Sequence, residues 1–386
     1  MKLVALVESN DHVCCRYRIA AYADALAERG WSLEIESLAE GVWGRTRQFL
    51  SLDRADAVLL QRRMLPWWQL ALLRRSARTL LFDYDDAVFW RDSSSPKPPE
   101  SRFRLFTFWL TLQAADGVSA GNAFLADQAN AYVSPGKVVC LPTCLRPDLY
   151  HRAEHHRRGS DVRVVWIGSH STLPSLELAE AGLTLAARRA DGLALHVICD
   201  AFPEMPDVKV VHRPWSSATE ADDLAAADIG LSWLPDHPWS LGKCALKVLQ
   251  YQAAGLPVVG NSVGLNRDLI RDGETGLLAN TSDELADAVE RLSRDPALRR
   301  RLGAAGRRQV EESFNRDYWA QRFVEWIEQA VRASRRSKDA PNHLGEPSKT
   351  FLGERANEGP RRRPSRTGPG VALNSGVASK SGAAVQ

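Results

Sequence analysis

The sequence predicts an α/β protein made of two doubly wound domains, each a parallel sheet flanked by helices. Three observations carry that expectation. Short apolar runs alternate with amphipathic helical runs along most of the chain, the pattern of strand–helix–strand units. A polar stretch, LRPDLYHRAEHHRRGSD (145–161), interrupts the alternation midway, after which it restarts. The 386 residues are 44% hydrophobic and 25% charged, ordinary for a globular protein and enough for two cores.

In the first half the expected strands are LVALV (3–7), AVLL (57–60), TLLF (79–82), GVSA (117–120) and KVVCL (137–141). Helical patterns lie between them, including Arg16–Arg29 and Leu65–Ser76. These elements define a first Rossmann-like domain over residues 1–150. The polar stretch after Pro142 reads as a linker. The second domain, residues 160–314, opens on the buried strand VRVVWIG (162–168). LALHVIC (193–199), VKVVH (208–212), DIGLSWL (228–234) and LPVVG (256–260) follow. A helix starts at Ser282 and stops before Pro296, and another covers Ala297–Glu312. The last amphipathic helix, 315–332, sets Trp319, Phe323 and Trp326 on one face. From 334 to 386 the composition turns to Ser, Gly, Pro, Arg and Lys, too poor in apolar residues to order itself. Its RRRP segment reads as solvated or as a contact for anionic surfaces.

The formal net charge of +3 is too small to argue for nucleic acid, and no nucleic-acid motif stands out. Any anion site must therefore come from local placement of basic groups. None of the six cysteines forms a Cys-x-x-Cys pair, which argues against structural zinc. The amino terminus turns polar too soon for a signal-peptide core, and no run approaches the ~18 apolar residues of a spanning helix. A cytoplasmic chain with free thiols is the simplest expectation.

The stretch GKCALKVLQYQAAGLPVVGNSVG (242–264) is the most informative. Read as one helix from Gly242 to Ala254, it stacks Lys243, Lys247 and Gln250 as a polar stripe. A surface helix would look similar, so its surroundings matter. From Asp228 to Phe314 the order of features is long and specific. Ala253-Ala254-Gly255 closes the helix and Pro257-Val258-Val259 forms a strand. Asn261-Ser262-Val263-Gly264 makes a small-residue loop, and an Asp-Gly-x-x-Gly turn runs from Asp272 to Gly276. This order resembles retaining glycosyltransferases of the GT4-like kind, which adopt the GT-B fold of two Rossmann-like domains facing across a cleft. VVWIGSHSTLPSLELA (164–179) resembles the opening of that family's second domain. In the first domain the resemblance rests on CRYR and FDYDDAVF.

The resemblance implies transfer of a sugar from a nucleotide-diphosphate sugar to a hydroxyl acceptor with retention of configuration. It implies glycan, polysaccharide or glycolipid biosynthesis, no bound divalent metal, no tightly held cofactor, and a last helix that packs back across the first domain. Lys243 and Lys247 would stabilise the departing diphosphate, and Gln250 would pair with the ribose. Relatives carry glutamates at the positions of Gly242 and Gln250. Gly242 has no side chain to offer, though its N–H could approach sugar or phosphate closely. Relatives also carry an arginine and a lysine in the loop after the first strand of the second domain, where this chain has Gly168, Ser169, His170, Ser171 and Thr172. Those groups could line the pyrophosphate, or Ser171 or Thr172 could cap the helix.

On the first domain, Arg16 is the expected cleft residue of the Arg16/Arg18 pair. Asp85 and Asp86 follow a strand at the carboxyl-end loop where open sheets bind ligands, and are candidates for the acceptor side. Asp83 reads as structural. His170, His196 and His212 lie near strand ends, and only His170 falls in the donor loop. Pro66-Trp67-Trp68 and RFRLFTFWLTL (102–112) are rich in aromatics, and Arg62, Arg63, Arg74, Arg75 and Arg78 surround the former. These aromatics either pack helices on the sheet or contact an anionic membrane at the inner face of the cell, which would suit a lipid-linked acceptor. The rival functions are a sugar-nucleotide binding protein without turnover and a sugar-nucleotide epimerase of the same fold.

Overall fold

The computed structural model describes residues 1–157, 162–190 and 193–339. The first six strands are β1 (Lys2–Val7), β2 (Ser32–Ser37), β3 (Ala57–Gln61), β4 (Leu80–Tyr84), β5 (Gly117–Ala120) and β6 (Val138–Cys140). They form one sheet in the order β2-β1-β3-β4-β5-β6, with every pairing parallel. The next six are β7 (Arg163–Ile167), β8 (Ala194–Cys199), β9 (Lys209–Pro214), β10 (Ile229–Ser232), β11 (Val258–Gly260) and β12 (Gly276–Leu278). They form a second parallel sheet in the order β12-β11-β10-β7-β8-β9. This is the two-domain GT-B architecture.

Central strands are buried end to end, as β3, β4 and β8 are, which is why they read as unbroken apolar runs. Two strands escaped that reading. In β2, SLEIES, polar residues alternate with Leu33 and Ile35. It lies at a sheet edge, where charges are common. β12 is only three residues long.

Each face of the first sheet has its own core. Val4, Leu6, Val58, Leu60, Leu80 and Phe82 lie under helices Gly41–Leu50, Trp67–Ser76, Arg102–Ala114 and Ala123–Asn130. Leu3, Ala5, Val7, Ala57 and Leu59 face the opposite way. They meet Phe323, Val324, Trp326 and Ile327 of the last helix, Arg316–Asp339. That helix runs past position 334, where the sequence pattern placed the start of the tail. Ser334 is buried and its hydroxyl donates to the Arg78 carbonyl at 3.2 Å. Residues 340–386, including the RRRP segment, lie outside the described residues.

The continuous helix expected over Arg16–Arg29 is instead three pieces, Val13–Arg18, a tight turn at Ala20–Tyr22, and Ala23–Glu28. Arg18 ends the first piece because Asp83 holds its guanidinium at 2.6 and 3.0 Å, beside Ser119 and the Leu141 carbonyl. The stretch 145–161 is not a free linker over its described part. Ala153 N–H donates to the Ala254 carbonyl at 2.9 Å, and His155 Nε2 lies 2.8 Å from the Gly255 carbonyl oxygen. Among the described residues no helix is long and apolar enough to cross a membrane.

Candidate active site between the two sheets

The carboxyl end of β7 opens into the loop Gly168-Ser169-His170-Ser171-Thr172. Ser169 and Thr172 form a capping box, with the Ser169 N–H donating to Thr172 Oγ1 at 3.1 Å. Thr172 thus completes a cap that Ser169 begins. The His170 N–H donates to Asp200 Oδ1 at 2.7 Å, and His170 Nδ1 lies 3.0 Å from Asp200 Oδ2. The bonds to His170 draw the Asp200 carboxyl down to about 2. Two loop N–H groups are therefore occupied by the protein's own acceptors.

Lys247 approaches this loop from helix Leu246–Ala253. Its Nζ donates to Thr172 Oγ1 at 3.3 Å and lies 3.8 Å from the centre of the Trp166 ring. Burial, then the nearby Lys243 ammonium, push the Lys247 amine down to about 7. Among the described residues no carboxylate forms an ion pair with it. Lys243 differs: its Nζ lies 3.0 Å from Asp86 Oδ2 and 3.6 Å from the centre of the Trp239 ring.

The single stripe of Lys243, Lys247 and Gln250 does not form. The helix begins at Leu246, after Ala245 in a left-handed conformation (φ 49°), and Lys243 stands in extended backbone before it. The cause is docking of residues 241–244 onto the first domain. Asn122 Nδ2 donates to the Leu241 and Lys243 carbonyls at 3.2 and 3.3 Å. Cys244 is packed within the first domain's core. A Cβ on Gly242 would lie 2.5 Å from Ala87 N and 2.8 Å from Ala87 Cβ. Gly242 is thus a point of close approach between the domains. Gly242→Glu, the acid that the family resemblance expects there, should destabilise the protein by about 1–3 kcal/mol through overpacking. An unchanged urea midpoint and slope for that variant would show that the contact yields freely.

Gln250 is 4% exposed, and its Nε2 donates to Glu220 Oε1 at 2.9 Å and to Tyr17 OH at 3.3 Å. Glu220 is the hub of this cluster. Its Oε1 also accepts from Tyr17 OH at 3.0 Å and Tyr150 OH at 2.8 Å. Its Oε2 accepts from Trp215 Nε1 at 2.9 Å and Arg16 NH1 at 3.4 Å. Five donors satisfy a buried carboxylate that would otherwise be costly. Burial and Glu220 push the Tyr17 phenol up to about 12, so it stays a donor at neutral pH. Arg16 therefore does cross to the second domain. Glu220, Tyr17, Tyr150 and Trp215 had no place in the sequence reading. The one local hint was that Tyr17 lies within CRYR.

On the first domain, Arg62 adopts a left-handed backbone (φ 57°) at the end of β3, a conformation that costs energy in a non-glycine residue. It gathers the acids of β4's loop: NH2 lies 2.9 Å from Asp86 Oδ2, and Nε 3.4 Å from Asp85 Oδ1. NH1 donates to Cys14 Sγ at 2.7 Å. Burial pushes the Asp85 carboxyl up, but Arg62 and Arg18 more than reverse this and hold it below its ordinary value. Asp86 lies between Arg62 and Lys243, which joins the two domains through one carboxylate. His196, by contrast, is driven down to about 4 by burial and nearby arginines, and belongs to the fold of the second sheet.

A family model described as "Glycosyl transferase-like" matches residues 181–325. A D-inositol 3-phosphate glycosyltransferase of Xylanimonas cellulosilytica is 31% identical over 188 residues, covering 48% of this chain and 40% of that protein. The chain thus spans well under half the length of that relative. Sucrose-phosphate synthase of Thermosynechococcus elongatus superposes with a TM-score of 0.65 at 17% identity, over 86% of this chain and 99% of its own. HepE of Anabaena, solved with UDP and glucose, superposes with a TM-score of 0.63 at 16% identity, over 85% of this chain and 100% of its own. The resemblance to glycosyltransferases and the GT-B fold read from the sequence are borne out.

Proposed function

We propose that this chain is a glycosyltransferase that moves a sugar from a nucleotide-diphosphate sugar to a hydroxyl acceptor with retention of configuration, in glycan, polysaccharide or glycolipid assembly. The observation that carries the reading is Lys247, a half-buried amine at the mouth of β7 with no carboxylate partner among the described residues. A cation left unpaired there is suited to an anionic ligand. The family match over residues 181–325 supports the same reading. A structural neighbour that holds UDP and glucose makes UDP the first donor to try.

In this scheme Gly168, Ser169 and His170 flank the pyrophosphate, and Lys247 neutralises it. Gly242 shapes the sugar's seat as backbone only. Lys243 acts through Asp86, closing the site by joining the domains. Gln250, buried and bonded to Glu220 in the free protein, meets the ribose by giving up that bond, with Arg16 beside the cluster. Asp85 and Asp86 face the acceptor side. The acceptor oxygen forms its bond to the anomeric carbon from the face the diphosphate leaves. The carbon–oxygen bond to the diphosphate breaks, and the acceptor's proton passes to the leaving phosphate oxygen. Lys247 stabilises the charge that develops there. No protein nucleophile is needed, and the acceptor is a sugar or a lipid-linked glycan.

A thermal-shift panel of UDP-, GDP-, ADP- and TDP-sugars tests the donor. One of them, at about 100 times its Kd, should stabilise the protein by about 2.7 kcal/mol. No shift with any of the four would overturn the reading. A second reading, donor binding without turnover, draws on Gly242, where Ala87 leaves no room for the acid that the family resemblance expects. A stable shift with neither transfer nor hydrolysis across varied acceptors would favour it.

A further inference from the structure

In the second sheet the chain order reverses beside β7. β8 and β9 lie on one side of it, and β10, β11 and β12 on the other. Open parallel sheets form a crevice at such a reversal, at the carboxyl ends of the strands. Here the two neighbours of β7 are held differently. β8 pairs with β7 along all of Arg163–Ile167, and the Gly168 N–H continues the ladder to the Ile198 carbonyl at 3.0 Å. β10 pairs with β7 only at Val164 and Val165. Beyond Val165 these two strands part, which would leave the Ile167 N–H and the Leu231 carbonyl buried without partners, an expensive state.

One side chain fills that gap. Tyr251, fully buried, accepts from the Ile167 N–H at 2.9 Å and donates to the Leu231 carbonyl at 3.0 Å. Burial pushes its phenol well above the ordinary range, so the proton of the second bond stays in place. Its ring lies against Gly230, where a Cβ would come within 2.4 Å of the ring carbon Cγ. Glycine is what lets the ring approach the strand so closely. The hydroxyl is thus a rung between two strands that do not bond directly at this level.

Tyr251 shares helix Leu246–Ala253 with Lys247, which lies one turn earlier on the same face. That helix packs on the sheet face that carries Val165 and Ile167. Trp166 belongs to the core on the opposite face. Yet Lys247 Nζ lies 3.8 Å from the centre of the Trp166 ring. The amine therefore reaches over the carboxyl edge of the sheet, at the strand ends that the Tyr251 hydroxyl spaces.

We propose that Tyr251 is a positioning residue: by spanning β7 and β10 it fixes the width of the crevice, and through its helix it sets where Lys247 Nζ meets the Gly168–Thr172 loop. The proposal deepens the donor reading and rests on it for the identity of the ligand.

Tyr251→Phe keeps the ring and removes the rung. Tyr84→Phe is the control, since Tyr84 is also fully buried and its hydroxyl donates to the Leu125 carbonyl at 2.6 Å in the first domain. Acetylation of Lys247 by acetic anhydride across pH, read by mass spectrometry, follows the amine in the free protein. Thr172, Trp166, Lys243 and Cys199 stand around that amine, and among the described residues no carboxylate pairs with it. In the parent its reactivity should rise through pH about 7. In Tyr251→Phe the midpoint should move up by about one pH unit or more, as the amine regains water. Gly230→Ala, which displaces the ring from the side, should move it the same way, and Tyr84→Phe should leave it in place. At pH about 6, where the amine is protonated in every variant, Tyr251→Phe should weaken the donor's Kd by about tenfold or more. A midpoint that neither Tyr251→Phe nor Gly230→Ala moves overturns the proposal, and so does one that Tyr84→Phe moves equally. A parent that binds no nucleotide sugar refutes the donor reading alone, and the titration still decides the role of Tyr251.

Discussion

Lys247→Ala is expected to abolish the thermal shift given by the true donor and to lower transfer about 10²–10³-fold, the usual effect of removing one donor to a developing anion. Lys247→Arg should recover part of the loss, because it restores the charge with different geometry. The ionisation of Lys247 gives the variant a signature that misfolding would not. With its amine pushed down to about 7 in the free protein, Lys247 is partly neutral at physiological pH. A bound diphosphate favours the protonated form, so binding takes up a proton. Above pH about 7 the donor's Kd should rise by about tenfold per unit, until the bound amine itself titrates. Stability runs the other way. The unfolded chain holds the Lys247 proton up to about 10.4, the folded chain only to about 7. Between those values the unfolded state binds more protons, and rising pH favours the folded state. Lys247→Met should remove both trends. A parent protein whose Kd is flat from pH 6.5 to 9 would show that Lys247 does not meet the diphosphate.

Asp83→Ala is expected to cost about 3–5 kcal/mol of stability, the penalty for leaving a buried charge without its partner. Arg18 is 3% exposed and Asp83 is fully buried. Their paired contacts at 2.6 and 3.0 Å hold helix Val13–Arg18 against β4. That helix carries Arg16 and Tyr17 to Glu220, so its loosening should also weaken donor binding in the protein that remains folded. Arg18→Leu combined with Asp83→Leu should recover much of the stability, since neither charge is then stranded. A double variant no more stable than Asp83→Ala in urea denaturation would refute the stranded-charge explanation.

The legible parts of this molecule are those with a local signature. β3, β4, β5 and β8 are buried on both faces and appear as apolar runs. The edge strand β2 does not, because half its residues face water. At the site, Lys247 was readable from its place in a family motif. The expected stripe failed for a tertiary reason: Asn122, Ala87 and the first domain's core pull residues 241–244 away from helical geometry. Gln250 and Arg16 stood out singly, but their meeting around Glu220 was not readable. Tyr17, Tyr150 and Gln250 reach it from positions 203, 70 and 30 residues away, and no periodicity encodes such meetings.

Cys244 and Trp239 belong by sequence to the second domain, yet Cys244 completes the core of the first and Trp239 packs against it. The halves are therefore not interchangeable modules. A hybrid joined near residue 155, with its amino-terminal half taken from a relative, would bring these two side chains against a cavity shaped for different ones. Engineering a new donor preference by swapping whole halves would thus require carrying the Asp85–Ala87 and Gly121–Asn122 segments along with the graft.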